Sequence, residues 1–271
     1  MPHARVPGSH AAGMARRGLC EAVAMHPSTF ALQLAFVVAF VPGLVAAQSM
    51  SAAPLVTPFS QAKPGAALPS GWLPIKINDQ KKPTVYEFVE DGGAVVLHAS
   101  ADGAASLVGY KTVFDLAAAP DMKWRWKISR LIGAADNTVS SKEDSPVRIV
   151  LEFDGDKSKL SFADRSAIAS GKILSGRELP YATLMYIWSN KEPVGKIVPN
   201  PRTNRVQMVV ASSGSGGVGQ WQTLARNVFD DFRKAFGEDP GRLTGVAVLT
   251  DTDNTGESVE AWYGDISFQA K

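Results

Sequence analysis

The sequence predicts a mainly β protein, a jelly-roll-like β-sandwich of the galactose-binding or concanavalin type with one or two short helices. Three observations carry that expectation. Short apolar alternations of period two recur along the chain, glycine-containing turn signals separate them, and only two segments show helical spacing.

At the N-terminus Arg16 and Arg17 precede an apolar run from Phe30 to Phe40, then Pro42 and Gly43, then Val45, Ala46 and Ala47 before Gln48. A positive flank, a short apolar core and small residues at the cleavage positions read as a secretory signal peptide over 1–47, with Met14 or Met25 as alternative initiators. Spanning a membrane takes about twenty apolar residues, so no stable membrane anchor is expected after cleavage. The expected setting is periplasmic or secreted. Cleavage lowers Lys plus Arg from 28 to 25 and Asp plus Glu from 26 to 25, which leaves a formally neutral chain. A nucleic-acid partner is not expected of such a surface. The single cysteine, Cys20, lies in the removed segment, so residues 48–271 must be stable by burial alone. A chain of this length can do that.

Residues 48–67 hold Pro54, Pro58 and Pro64 without any period and are expected to be a flexible lead-in. A single sandwich domain is expected over 68–271. Thr84 to Val89 and Ala94 to Ala99 flank Asp91-Gly92-Gly93, the signature of a hairpin. Met122, Trp124, Trp126 and Ile128 alternate with Lys123, Arg125 and Lys127, as Val147, Ile149, Leu151 and Phe153 do with Arg148, Glu152 and Asp154. Further strands are expected at Thr183 to Trp188 and Val206 to Ala211. Helical spacing appears at Phe162 to Leu174 and at Ala225 to Phe236, where Val228, Phe229, Phe232 and Phe236 form one stripe and Gly237 supplies a C-cap.

Near the end, Val246 to Leu249 reads as a buried strand. Trp262, Gly264, Ile266 and Phe268 read as the inward row of a closing strand, with Tyr263, Asp265 and Ser267 facing outward. Between them Asp251, Asp253, Asn254 and Glu257 crowd oxygen ligands around Gly256, a pattern suited to calcium. An EF-hand is excluded, because counting from Asp251 the fifth and twelfth positions are Thr255 and Trp262. A solvated turn whose Asp and Asn side chains bond their own backbone fits the same residues.

Several of these segments together resemble a family of exported bacterial proteins known as domain of unknown function 3047. They are Trp124-Arg125-Trp126-Lys127, the block Lys142 to Ile149, and Leu249 to Asp265 with TDTDNTGE and YGDI, extended by Tyr186 to Ser189, Asn200-Pro201 and Arg226 to Val228. The resemblance spans roughly Trp72 to Phe268. It implies an exported domain and brings no activity with it.

The chemistry-bearing residues narrow the functional classes. His98 is the sole histidine after export, and no G-x-S-x-G elbow accompanies it, so neither a serine triad nor an ordinary zinc site is expected. His98 reads as a structural, hydrogen-bonded residue. Glu152 and Asp154, about 7 Å apart along one strand, suit either a glycosidase pair or a solvated face. The polar connection with Asp136, Glu143 and Asp144 is placed near a site. Arg125, Arg148, Glu152 and Tyr263 are expected to line a polar groove on one concave face, or else a ladder of ion pairs. Trp221, after a glycine-rich loop, is the expected exposed aromatic platform, whereas Trp124, Trp126 and Trp262 are assigned to the core. The leading expectation is an exported ligand-binding sandwich, with a glycan as ligand and a calcium at the Asp251 loop. The alternatives are a carboxylate-dependent hydrolase of polysaccharide or cell-envelope substrate, and a structural envelope protein.

Overall fold

The computed structural model describes residues 55–175, 179–201 and 203–269. The expected signal peptide and the first part of the lead-in lie outside them. In chain order the strands are β1 (Trp72–Lys76), β2 (Val85–Asp91), β3 (Ala94–Asp102), β4 (Ala105–Phe114), β5 (Asp121–Ile128), β6 (Ser145–Phe153), β7 (Ala182–Ser189), β8 (Ile197–Pro199), β9 (Val206–Ser213), β10 (Gln222–Asn227), β11 (Leu243–Asp251), β12 (Ser258–Tyr263) and β13 (Ser267–Gln269). Two helices interrupt them, α1 (Phe162–Ser175) and α2 (Val228–Phe236). No helix among the described residues is long and apolar enough to cross a membrane.

The strands form a jelly-roll-like sandwich. One sheet has the order β1-β4-β11-β6-β7-β9-β8, and the other β10-β5-β12-β3-β2, with β13 added along β5. Every pairing is antiparallel except that of β7 with β9. The chain repeatedly changes sheet, as from β5 to β6 and from β11 to β12, so side chains alternating along each strand feed one interior.

That interior is where the period-two rows meet. Trp126, Ile128, Ile149, Leu151, Leu184, Tyr186 and Val248 are buried between the sheets. Trp124 meets Trp126 edge-on at 5.4 Å and Tyr186 at 5.0 Å. α2 closes one end. Asn227 caps it by accepting from the Asp230 amide, Gly237 ends it in the left-handed region at φ 73°, and Phe232 packs on Phe153 at 4.7 Å. Residues 225–227, expected as its first turn, instead belong to β10, where they pair with Asp121 to Lys123. Asp231 fastens the helix to the sheet by accepting from the Tyr186 hydroxyl and from Arg226.

Two expectations change here. The globular part begins before Leu68. Val56 and Phe59 are buried in the main core, Phe59 lies 4.5 Å from Trp72, and Trp72 donates its indole N–H to the Thr57 carbonyl. Pro58 and Pro64 erase any period in this segment, so its two plugging side chains leave no pattern to read. The closing strand also has the opposite phase. Val259, Ala261 and Tyr263 point inward and Trp262 outward, because residues 264–266 form no ladder and break the alternation before β13.

Candidate functional site

Among the described residues a heavily charged buried cluster lies where β6, β11 and two loops meet. Arg148, 1% exposed, donates from Nε to Asp251 Oδ1 at 2.9 Å and from Nη2 to Oδ2 at 3.0 Å. Its Nη1 donates to Glu143 Oε1 at 3.0 Å, and Nη2 also reaches the Glu143 carbonyl at 2.8 Å. Asp144 accepts four donors, the Asn254 amide and side chain and the Thr255 amide and hydroxyl. Asp253 pairs with Lys81. Ligand oxygens of Asp144, Asp251 and Asp253 all fall within 4.8 Å of one another, so these three residues are spaced to share a metal ion.

The electrostatics of this cluster follow from its count. Four carboxylates, Glu143, Asp144, Asp251 and Asp253, face two cations, Arg148 and Lys81. The Asp251 carboxyl is pushed up to about 6, first by burial and then by Asp144 and Glu143, while Arg148 pulls it back down. Its partner Arg148 is held protonated by Asp251 and Glu143 against its own burial.

The expected residues are thus redistributed. Asp144, placed only near the site from sequence, joins Asp251 and Asp253. Asn254 adjoins them as a donor to Asp144. Glu257 lies apart and accepts from the amides of Gly133 and Ala134 at 3.0 and 2.8 Å. Asp136 is also apart, held well below the usual carboxylate range by Lys191 and by Thr138. The Asp251 loop and the loop carrying Glu143 and Asp144 do converge. Asp136 is tied into the latter by its amide, which donates to the Lys142 carbonyl at 2.8 Å, but its carboxylate is taken by Lys191.

The expected groove of Arg125, Arg148, Glu152 and Tyr263 does not form. Arg148 and Glu152 share the outer row of β6, with Val150 between them. Glu152 is flanked in register by Gly245 and Thr183, and it borders two apolar cavities of about 240 and 220 Å³. Asp154, its expected partner, accepts from the Arg242 amide. Tyr263 is in the interior, where its hydroxyl donates to the Leu249 carbonyl at 2.7 Å and bonds Thr250. Arg125 is on the far side of the molecule, on the outer face of the other sheet.

That outer face carries an aromatic and charged row. Register places Glu87, His98, Trp262 and Lys127 side by side across β2, β3, β12 and β5. His98 stacks on Trp262 at 5.0 Å and bonds Glu87 at 3.3 Å, so it is the structural histidine expected. Lys127 Nζ sits 4.2 Å from the Trp262 ring centre and 5.5 Å from that of Trp221. The guanidinium carbon of Arg125 lies 4.4 Å from the Trp221 ring centre.

Local sequence explains how Trp221 is held. The turn between β2 and β3 places Gly92 and Gly93 at φ 63° and 78°, both positive as a type I′ turn requires. Asp91, just before it, accepts from Trp221 Nε1 at 2.8 Å and pairs with Lys127. From the other side Gly219 donates to the Ile128 carbonyl, bringing the glycine-rich loop down onto β5. Both tryptophans of the row are half-buried. Trp262, assigned to the core from sequence, and Lys127 and Asp91, not singled out there, also join this row; the available signals were the Asp-Gly-Gly turn and the basic alternate positions of β5.

The model of a family described as "Protein of unknown function (DUF3047)" matches residues 70–267. No curated protein matches the chain. Among solved structures, the chain is similar to the xyloglucanase domain of NopAA, a type three effector from Sinorhizobium fredii, in complex with cellobiose. That match has 10% identity and a TM-score of 0.41, covering 78% of this chain and 97% of that one. It is also similar to the family 30 carbohydrate-binding module of a cellulosomal cellulase of Clostridium thermocellum, at 11% identity and TM-score 0.34, covering 80% and 92%. The carbohydrate recognition domain of Emp47p matches at 10% identity and TM-score 0.37, covering 79% and 94%. At these scores no ligand and no reaction follows from the likeness.

Proposed function

The chain belongs to the family described as protein of unknown function DUF3047, a membership that brings no activity, and on the geometry we propose an exported glycan-binding β-sandwich whose ligand lies along the outer face of the six-stranded sheet. The observation that carries this reading is Trp221, fixed through its indole N–H by Asp91, with Arg125 and Lys127 at its ring and Trp262 beyond Lys127. With Arg125, Lys127 and His98 laid on their faces, the half-buried indoles present apolar edges interleaved with fixed donors and acceptors, a mixture that suits a sugar, which offers apolar C–H faces and a rim of hydroxyls. The export half of the proposal rests on the pattern of residues 1–47. Affinity electrophoresis through gels containing soluble polysaccharides tests the binding half. Retardation of the wild type by at least one of them, lost in Trp221→Ala with its melting temperature preserved, is expected. Equal mobility of both proteins in every gel would overturn the assignment.

A calcium ion between Asp144, Asp251 and Asp253 is the second reading. The observation favouring it is the excess of two negative charges in the cluster, which a divalent cation would balance. Asp144 already accepts four donors, so such an ion would lean on Asp253, released from Lys81, and on the outer lone pairs of Asp251. It would be a brace between two loops, remote from the sugar-binding row.

A further inference from the structure

We propose that Arg125 and Lys123 form an anion subsite that takes the carboxylate of an acidic sugar residue; this rests on the glycan reading above and narrows it to acidic glycans. The two residues sit two apart on β5, so they project from the same outer face about 7 Å from each other. Their neighbour Lys127 is committed to Asp91. By contrast, neither Arg125 nor Lys123 makes a side-chain hydrogen bond or ion pair among the described residues. They border a cavity of about 270 Å³ together with Ser60, Thr223, Ser267 and Asp265. Asp265, the carboxylate of that cavity, is taken by Ser60, whose amide and hydroxyl donate to its two oxygens at 2.8 and 2.6 Å.

Arg125 is also held in place. Its stem crosses Gly264 so closely that a Cβ there would lie 2.4 Å from Cγ and 2.6 Å from Nε. Its guanidinium is laid on the Trp221 ring. A stacked guanidinium keeps its N–H fork in plane and available at the rim, and that fork matches the two oxygens of a carboxylate. Lys123 adds a mobile point charge beside it. The cavity is just under the usual size of a small-ligand site, which fits one residue of a longer chain whose remainder lies along Trp221 and Trp262.

The test compares oligogalacturonate with its fully methyl-esterified form, the two ligands differing only in the carboxylate charge, by calorimetric titration of the full chain. Wild type is expected to bind the acid at least tenfold more tightly, with the preference shrinking as salt rises. Arg125→Gln should abolish the preference while the ester still binds, and Arg125→Lys should retain part of it. Ester bound as tightly as acid, or binding of neither form, would overturn this inference and leave the glycan reading to the gel-retardation test. A preference that survives in Arg125→Gln would remove Arg125 from the subsite. A sulfated oligosaccharide without carboxylates, bound more tightly than the carboxylated one, would overturn the assignment to a planar carboxylate.

Discussion

Arg148 holds Asp251 through two parallel hydrogen bonds of 2.9 and 3.0 Å at a position 1% exposed, and the same guanidinium holds Glu143 on a separate loop. One cation therefore ties the end of β11 to the connection that precedes β6. Replacing it by a side chain of similar length, Arg148→Met, leaves two buried carboxylates without their counter-ion and should cost roughly 3–5 kcal/mol. Adding Asp251→Asn removes one of those charges and should recover part of the loss. Urea denaturation measures both, and a double variant no more stable than the single one would contradict the account.

The crowding of carboxylates around this arginine also sets a pH dependence. Asp251 is ordinarily a carboxyl of 3.8 and is raised to about 6 in the folded protein. The folded state then holds a proton that the unfolded chain has released, so stability is fully present below about pH 4 and declines as pH rises through 6. In the presence of a chelator the melting temperature should fall by a few degrees between pH 5 and 7, and Asp251→Asn should flatten that slope. Equal slopes in the two proteins would refute the assignment to Asp251.

If calcium braces the cluster, a hundredfold excess over its dissociation constant adds about 2.7 kcal/mol to the folded state. The expected result is a calcium-dependent rise in melting temperature that Asp253→Asn removes and that Lys81→Gln, which frees Asp253, does not. Unchanged melting in calcium and in chelator would leave the cluster as a salt-bridged pin alone.

Burial period was legible and the destination of charged side chains was not. Met122 to Ile128 and Val147 to Phe153 announce their inward rows in sequence, since alternation fixes which side chains share a face. Sequence alone does not say which outer face a residue joins. Arg125 and Arg148 occupy equivalent polar positions on neighbouring strand patterns, yet one stacks on Trp221 and the other is buried under two loops. The connection with Glu143 and Asp144 was placed near a site from its length and polarity, but nothing in the sequence says that it meets the loop after Asp251. Trp262 was misplaced because Gly264 ends the ladder, and a period carried through that break inverts the phase.

The segment before Leu68 was misjudged for a related reason, as two apolar residues suffice to make it integral. Phe59 fills a space between Trp72 and Phe88, at 4.5 and 5.9 Å from their rings. Phe59→Ala should destabilise by roughly 3–5 kcal/mol, the range for deleting a buried aromatic side chain. A loss under about 1 kcal/mol in chemical denaturation would show that the segment is an ornament on a core that closes without it.

Gly264 offers the sharpest separation between fold and ligand. Its φ is outside the left-handed region, so alanine is tolerated by the backbone there, and the obstacle is the Arg125 stem at 2.4 Å. Gly264→Ala should push Arg125 off the Trp221 ring while leaving the Gly264 amide bonded to the Arg125 carbonyl at 2.9 Å. The acid-over-ester preference should then drop at least fivefold, with the melting temperature lowered by no more than a few degrees and Trp221 fluorescence altered by loss of the stacked cation. A variant that keeps both its preference and its emission would show that the position of Arg125 does not depend on this glycine, and the reason offered here for a glycine at that point would fall.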